Sequence, residues 1–372
     1  MFLFITAHQR SGTYIYTKKL TSYFPRDSYS IIHSSPHIIE VLGIPFDIIM
    51  IARKRGHRFV IVEYEYSMFG PPLFTHIILI LTLILARISL LKPVVVLHGV
   101  LHPNHLYKGF VSFFVKAFLP NFYRFIEIAS MNLYVLNSIQ YRLLKDYYRI
   151  NKLKMVPHGA DQCISSGDEI KSNSDKIRIF FHGFLRPSKG LDELIEAVEI
   201  LSKSGYKVQL EIWGSIPHQM LRVKSEREWL KKFLEKVEIL MKQKMVKIHI
   251  GFASEEELKK AVMNCDIIVL PYKDHYFESS GVLHLFMDCG KPFILSRIPR
   301  FHADVDPSEA VFVNVNGPEL AKAVVIALNR GKILAHRLRI KANERSWKKI
   351  SLTFIASLLG NNNNIGTIYE RF

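Results

Sequence analysis

The chain has 372 residues, 50 Lys+Arg against 33 Asp+Glu, and a formal net charge of +17. A hydrophobic fraction of 49% excludes a disordered chain, and the length is enough for two or three separate cores. Three scattered cysteines, Cys163, Cys265 and Cys289, cannot make a disulfide framework or a four-cysteine zinc site, which points to a reducing, cytoplasmic compartment. The basic excess favours anionic partners: nucleotides, nucleic acid or an acidic lipid surface.

The apolar start Met1–Ala7 lacks a basic leader and stops at His8-Gln9-Arg10, so it reads as a first buried strand rather than a secretion signal. Leu73–Leu91 contains the run Ile77–Ala86, ten residues between His76 and Arg87. A membrane span needs about 20 apolar residues, so a core helix is expected there. Further strands are expected at Phe59–Val62, Pro93–Leu97 and Asn132–Leu136, then at Ile177–Phe181, Val208–Trp213, Val246–Ile250, Cys265–Pro271 and Pro292–Leu295. Their near-continuous apolar character suits a parallel sheet buried on both faces. Between them Leu191, Leu194, Ile195, Val198 and Leu201 mark one amphipathic helix, and Leu230, Phe233, Leu234, Val237, Leu240 and Met241 another.

The polar, aperiodic stretch 161–176 divides the chain. The expected organisation is a first α/β domain over 1–160, a linker over 161–176 and a second α/β domain over 177–345. A helix and tail over 346–372, containing Trp347, is expected to pack back across the domains. Alternation of strands and helices throughout gives two doubly wound, Rossmann-like domains facing across a cleft, with ligands at the carboxyl ends of the strands.

Two stretches carry chemistry. In Ile177–Glu196 a strand ends before Gly183, and Arg186 and Lys189 stand just before Gly190 and a helix. A guanidinium fork and an ammonium placed there can hold a diphosphate, though such charges also occur as solvated loop residues. In Cys265–Ser296 a buried strand ends at Pro271-Tyr272, and Glu278-Ser279-Ser280-Gly281 opens a helix. Free amides at that start can bind an anion, and the same residues also make an ordinary helix cap.

Taken together, G-x-x-R-x-x-K-G at Gly183–Gly190 and E-S-S-G-V-L followed by C-G-K-P at Glu278–Pro292 resemble GT-B glycosyltransferases of the family 4 kind. Pro157-His158-Gly159-Ala160-Asp161 resembles that family's lead into its second domain, and Val208–Gly214 and Ile248–Phe252 its next strand-and-glycine elements. The resemblance covers about 155–330. Before 150 it rests on architecture, on the Gly12-Thr13 loop after the first strand, and on His98 after Val94–Leu97.

The resemblance implies a retaining transferase that uses a nucleotide-diphosphate sugar, with no tightly bound cofactor and no required metal. Arg186, Lys189 and the amides of Ser280, Gly281 and Val282 would hold the leaving diphosphate. Gly183, Gly214, Phe252, Tyr272 and Ser279 would complete the donor side. Glu278 and His98 would meet the sugar, and Gly12 and Thr13 the acceptor. The family's second acid, which holds the ribose, falls on Leu285 or Phe286, and neither can accept a hydroxyl. His284 and Asp288 lie nearby but should point elsewhere on the helix.

The acceptor would be a glycan or a lipid-linked one. An epimerase or sugar-phosphate synthase of the same fold, or a non-catalytic basic binder of lipid or nucleic acid, is the alternative. His102, His105 and His275 show no metal-binding spacing. Glu63 and Glu65 alternate with Tyr64 and Tyr66 at a strand end and read as a solvated edge, with contact to an acceptor as the alternative. Tyr107–Phe125 carries eight Phe/Tyr with Lys108, Lys116 and Arg124 and no acid, which suits either peripheral contact with an anionic membrane or an ordinary helix. Nucleic acid is the less favoured partner.

Overall fold

The computed structural model describes residues 1–9, 11–33, 38–66, 68–69, 72–102, 110–163, 175–217, 220–274 and 276–360. It divides into two units. The first comprises Met1–Gly159, Tyr276–Ser279 and Arg345–Phe372; the second comprises Ala160–His275 and Ser280–Glu344.

The first unit holds a six-stranded parallel sheet made of β1 (Phe2–Thr6), β2 (Tyr29–His33), β3 (Phe59–Tyr64), β4 (Lys92–Leu97), β6 (Asn132–Val135) and β7 (Leu153–Met155). Between β4 and β6 lies β5 (Gly99–Val100), outside that sheet. The strand order is β2-β1-β3-β4-β6-β7, with the reversal at β1/β3. Period-two alternation sends Leu3 and Ile5 to one face and Phe2 and Phe4 to the other, and both faces are covered. The helices α1 (Gly12–Thr21), α2 (Ile38–Lys54) and α3 (Pro72–Ile88) and the helix Phe110–Ala129 connect the strands. The C-terminal helix Trp347–Leu359 packs on α1 in this unit, where Ser351 Oγ donates to the Leu20 carbonyl at 2.6 Å.

The second unit has strands β8 (Ile177–His182), β9 (Val208–Gly214), β10 (Val246–Ile250), β11 (Ile267–Leu270), β13 (Phe293–Ser296) and β14 (Val311–Val313). Their order is β10-β9-β8-β11-β13-β14, all parallel, with the reversal at β8/β11. A strand order that reverses next to the first strand opens a crevice at the carboxyl ends, which is where open α/β sheets bind ligands.

Three expectations need correction. The second domain is interrupted, because β12 (Phe277–Glu278) pairs antiparallel with β5 and takes Tyr276–Ser279 into the first unit. The stretch 161–176 is not wholly a linker: the Asp161 amide donates to the His284 carbonyl at 3.0 Å, and the Cys163 amide donates to Asp288 at 3.0 Å. Finally, Cys163 and Cys289, scattered in sequence, stand side by side with Cα atoms 5.0 Å apart, because this lead-in segment runs beside the end of the helix Gly281–Phe286. Cys265 is the buried free thiol, and burial pushes it up to about 12.

Candidate active site

The first group of residues sits at the carboxyl edge of β3 and β4. Beyond β4 the His98 amide donates to the Tyr64 carbonyl at 3.0 Å, which continues the ladder and fixes the His98 backbone. Glu63, one residue before Tyr64, is fully buried because β3 is an inner strand with both faces covered. Its Oε2 lies 2.8 Å from His98 Nε2, so the imidazole is held by a carboxylate and Nδ1 is the ring nitrogen left for a ligand. The ring of Tyr16, from α1, stands edge-on to His98 at 4.8 Å. Burial raises the Glu63 carboxyl above its ordinary range, and the His98 bond only partly offsets this. Burial, followed by the charge of Glu63, lifts the Tyr16 hydroxyl well above its usual value. Glu63 is therefore no solvated edge.

Glu278 reaches the same place through β12. In that pairing Phe277 is opposite Val100 and Glu278 opposite Gly99, the residue after His98. Gly99 leaves room for this, since a Cβ there would lie 3.2 Å from Glu278 Cγ and 3.3 Å from the Tyr66 ring. The buried Gln140 amide ties the pair together, donating to the His98 carbonyl at 3.1 Å and the Phe277 carbonyl at 2.8 Å. Tyr66 donates to the Gly99 carbonyl at 2.9 Å, and Asn137 donates to Ser279 Oγ at 3.2 Å. Ser279 thus serves the first unit. The Thr13 hydroxyl donates to Glu65 at 3.3 Å beside the β1/β3 reversal, and nothing lies within 4 Å of a Cβ placed on Gly12.

The second group surrounds the β8/β11 reversal. After β8 the backbone turns at Gly183, and Gly214 packs so closely that a Cβ on it would run into the Gly183 carbonyl. Lys189 closes a short turn, Pro187–Lys189, and Gly190 follows at φ +68°, where a Cβ would meet the Pro271 carbonyl. The buried Lys189 ammonium donates to Asp274 at 2.9 Å and lies 3.9 Å from the centre of the Tyr272 ring. Tyr272 is pinned in turn by its hydroxyl, which donates to the His182 carbonyl at 3.0 Å. Arg186 reaches Glu226 at 3.1 Å. Both predicted cations therefore carry a carboxylate partner.

Arg300 adds a third cation, 5.9 Å from the Tyr272 ring. Ser280 caps the helix Gly281–Phe286, accepting from the Leu283 amide at 3.3 Å. Nothing lies within 4 Å of a Cβ on Gly281, Val282 is half-buried and Phe252 is exposed.

At the second-acid position Phe286 is fully buried against Phe180 and His182, and Leu285 is partly buried against the same core. His284 turns inward, with Nε2 3.8 Å from Asp304, and Asp288 is used by Cys163. His105 and His275 lie outside the described residues. Among the described residues no cluster of three metal-ligating side chains occurs.

The sequence pointed to Glu63 and Tyr66 only as part of a strand end, and missed Gln140 and Asp274. Only Gln140 left a local sign, in Asn137-Ser138-Ile139-Gln140, where the Asn137 side chain caps a short helix by accepting from the Gln140 amide at 2.9 Å.

Two parallel-sheet Rossmann-like domains of this kind define the GT-B fold, and the chain matches solved GT-B structures over nearly its whole length. Against Anabaena HepE, solved in complex with UDP, the TM-score is 0.71 at 14% identity, covering 96% of this chain and 99% of that one. Against sucrose-phosphate synthase from Thermosynechococcus elongatus it is 0.73 at 14% identity, covering 96% and 98%. Against a glycosyltransferase from Rickettsia africae it is 0.69 at 13% identity, covering 97% and 99%. More particularly, residues 166–347 match the family model of glycosyl transferases group 1. No curated protein sequence is a match to the chain.

Proposed function

We propose that the protein is a glycosyltransferase that moves a hexosyl group from a nucleotide-diphosphate sugar to a glycan or lipid-linked acceptor, with retention of configuration. The observation that carries this reading is Lys189, a buried ammonium fixed over Tyr272 at the β8/β11 reversal, with Arg186 at the start of the same turn. The family-model match and the likeness to a structure solved with UDP support it.

Breaking a glycosyl–phosphate bond places charge on the departing diphosphate, so preorganised cations there lower the barrier most directly. Arg186 grips two phosphate oxygens, Lys189 acts as a point charge, and the amides of Ser280, Gly281 and Val282 add neutral donors. Asp274 and Glu226 hold the two cations in place until the diphosphate takes over their hydrogen bonds. His98, oriented by Glu63, offers Nδ1 to a sugar hydroxyl, and Glu278 faces the sugar. Gly12 and Thr13 border the acceptor.

Isothermal titration calorimetry with UDP tests this. Losing one charge-assisted bond costs about 1.5–3 kcal/mol, so Lys189→Ala and Arg186→Ala should each weaken UDP roughly 10- to 150-fold. Asp274→Asn, which releases Lys189 from a competing anion, should bind no more weakly than wild type. Unchanged affinity in both alanine variants overturns the proposal.

A further inference from the structure

The α3 helix is apolar on both sides. Its inner side buries Ile78, Leu79, Leu83 and Ala86 completely. Its outer side carries Phe74, Ile77, Leu81, Ile84 and Ile88, spaced three and four apart, so they form one stripe down the helix. Ile77 and Leu81 keep 42% of their surface in solvent, Ile88 72%, and Leu90, just past the helix, 93%. The neighbouring α2 adds exposed Phe46 and Met50, one turn apart. An ordinary amphipathic helix turns polar residues outward, and this one does not.

The charge around this face is predominantly positive. From Phe46 to Ile128 the sequence holds nine Lys/Arg and four acids, Asp47, Glu63, Glu65 and Glu127, of which Glu63 and Glu127 are buried. Arg53, Lys54, Arg55, Arg58, Arg87 and Lys92 are exposed and belong to the carboxyl ends of α2 and α3 and the neighbouring ends of β3 and β4. The backbone joins these ends directly: Phe59 is in register with Lys92, and the Lys92 amide donates to the Arg58 carbonyl at 2.8 Å. The most exposed apolar residues, Ile88 and Leu90, lie in sequence between Arg87 and Lys92. Asp47 on α2 is the exposed acid of this face.

We propose that the α2–α3 face, led by Ile88 and Leu90, is a docking surface for an anionic lipid bilayer. Apolar side chains enter the acyl boundary while the surrounding cations meet headgroups, and attachment is peripheral. No described helix is long and apolar enough to cross a membrane. A second copy of this chain fits less well, because pairing the face with itself would bring the same six cations together. The segment 107–125 is a weaker candidate. Arg124, one of its three cations, is already paired with Glu127 at 2.6 Å.

The test is co-sedimentation of the full chain with vesicles of phosphatidylcholine alone and of phosphatidylcholine with a quarter phosphatidylglycerol, at low and high salt. Binding to the anionic vesicles only, weakened several-fold by salt, is expected. Ile88→Ser/Leu90→Ser and Arg53→Glu/Lys54→Glu should each lower partitioning roughly tenfold or more, while Lys108→Glu/Lys116→Glu stays near wild type. Arg53, Lys54, Ile88 and Leu90 are exposed, and unchanged melting curves would confirm that all the variants are folded. Binding indifferent to lipid charge, or lost only in Lys108→Glu/Lys116→Glu, overturns the proposal. A dimer in light scattering that Ile88→Ser/Leu90→Ser dissolves assigns the face to a second copy and overturns it equally. UDP calorimetry on the same variants stays at wild type, which separates this surface from the proposed donor site.

Discussion

Replacing Glu63 separates catalysis from folding. Its Oε2 sits 2.8 Å from His98 Nε2, in a strand where the side chain is wholly buried. Glu63→Gln keeps volume and an acceptor but removes the charge; Glu63→Leu removes both. A charge-assisted bond is worth about 1.5–3 kcal/mol, of which a neutral acceptor recovers about 0.5–1.5. Turnover should therefore fall roughly tenfold in Glu63→Gln and about a hundredfold in Glu63→Leu. Affinity for UDP should stay within about threefold, because the residues proposed to hold the diphosphate are elsewhere in the chain.

Stability should move the other way. Burial raises the Glu63 carboxyl, so the unfolded chain loses this proton at lower pH than the folded one. Wild-type stability therefore declines as pH climbs from the unfolded value of about 4.3 towards the raised folded value. Glu63→Leu lacks this decline and should be as stable as wild type or more so at neutral pH, since an apolar side chain often replaces a buried ionic one without loss. Donor hydrolysis across a panel of nucleotide sugars measures turnover without an identified acceptor. Denaturant titration against pH gives the stability. A stable Glu63→Leu protein with wild-type turnover would refute the reasoning, because the carboxylate would then do nothing for His98.

Two further substitutions test the second unit. Burial lowers the pKa of His182, so the unfolded state takes a proton first as pH falls below about 6.5. His182→Asn keeps a donor for the Trp213 carbonyl, and in denaturant titrations against pH it should flatten the acid limb of the stability curve, whose slope is at most about 1.4 kcal/mol per pH unit for one proton. Gly214→Ala drives a Cβ into the Gly183 carbonyl and against Leu185, and should cost about 1–3 kcal/mol by thermal denaturation while weakening UDP as the turn shifts.

The inner strands were legible because they are buried on both sides: β1 spans Phe2–Thr6 and β4 Lys92–Leu97, close to their apolar runs, while β10 (Val246–Ile250), at a sheet edge and half-exposed, was legible from its β-branched pattern alone. The edge strands β2, β7 and β14 were not, since β2 is half-exposed along its length and the other two have three residues each. The glycine-punctuated turns at Gly183, Gly190 and Gly214 were legible for a related reason, because close backbone approach there excludes any side chain. Glu63 was misread because alternation with tyrosines resembles a wet edge. Only the presence of β1 and β4 on either side of β3 shows that a carboxylate in that row is buried.

The stretch Glu278-Ser279-Ser280-Gly281 looks like one local motif, and the fold splits it. Glu278 and Ser279 belong to the first unit, held by Gly99 and Asn137, while Ser280 begins a helix of the second. Two residues that pair across so long a stretch of chain leave no periodicity to detect, so the place of Glu278 beside His98 could come only from three-dimensional structure. The same local view misjudges what a missing acid means at Phe286. That ring packs between Phe180 and His182, and a carboxylate in its place would be buried without a cation, at a cost of several kcal/mol. Core packing around β8 thus accounts for Phe286, whereas Leu285, the other candidate for the second-acid position, is only partly buried. Neither Leu285 nor Phe286 offers an acceptor, so in a protein of the proposed activity a different side chain would meet the ribose hydroxyls.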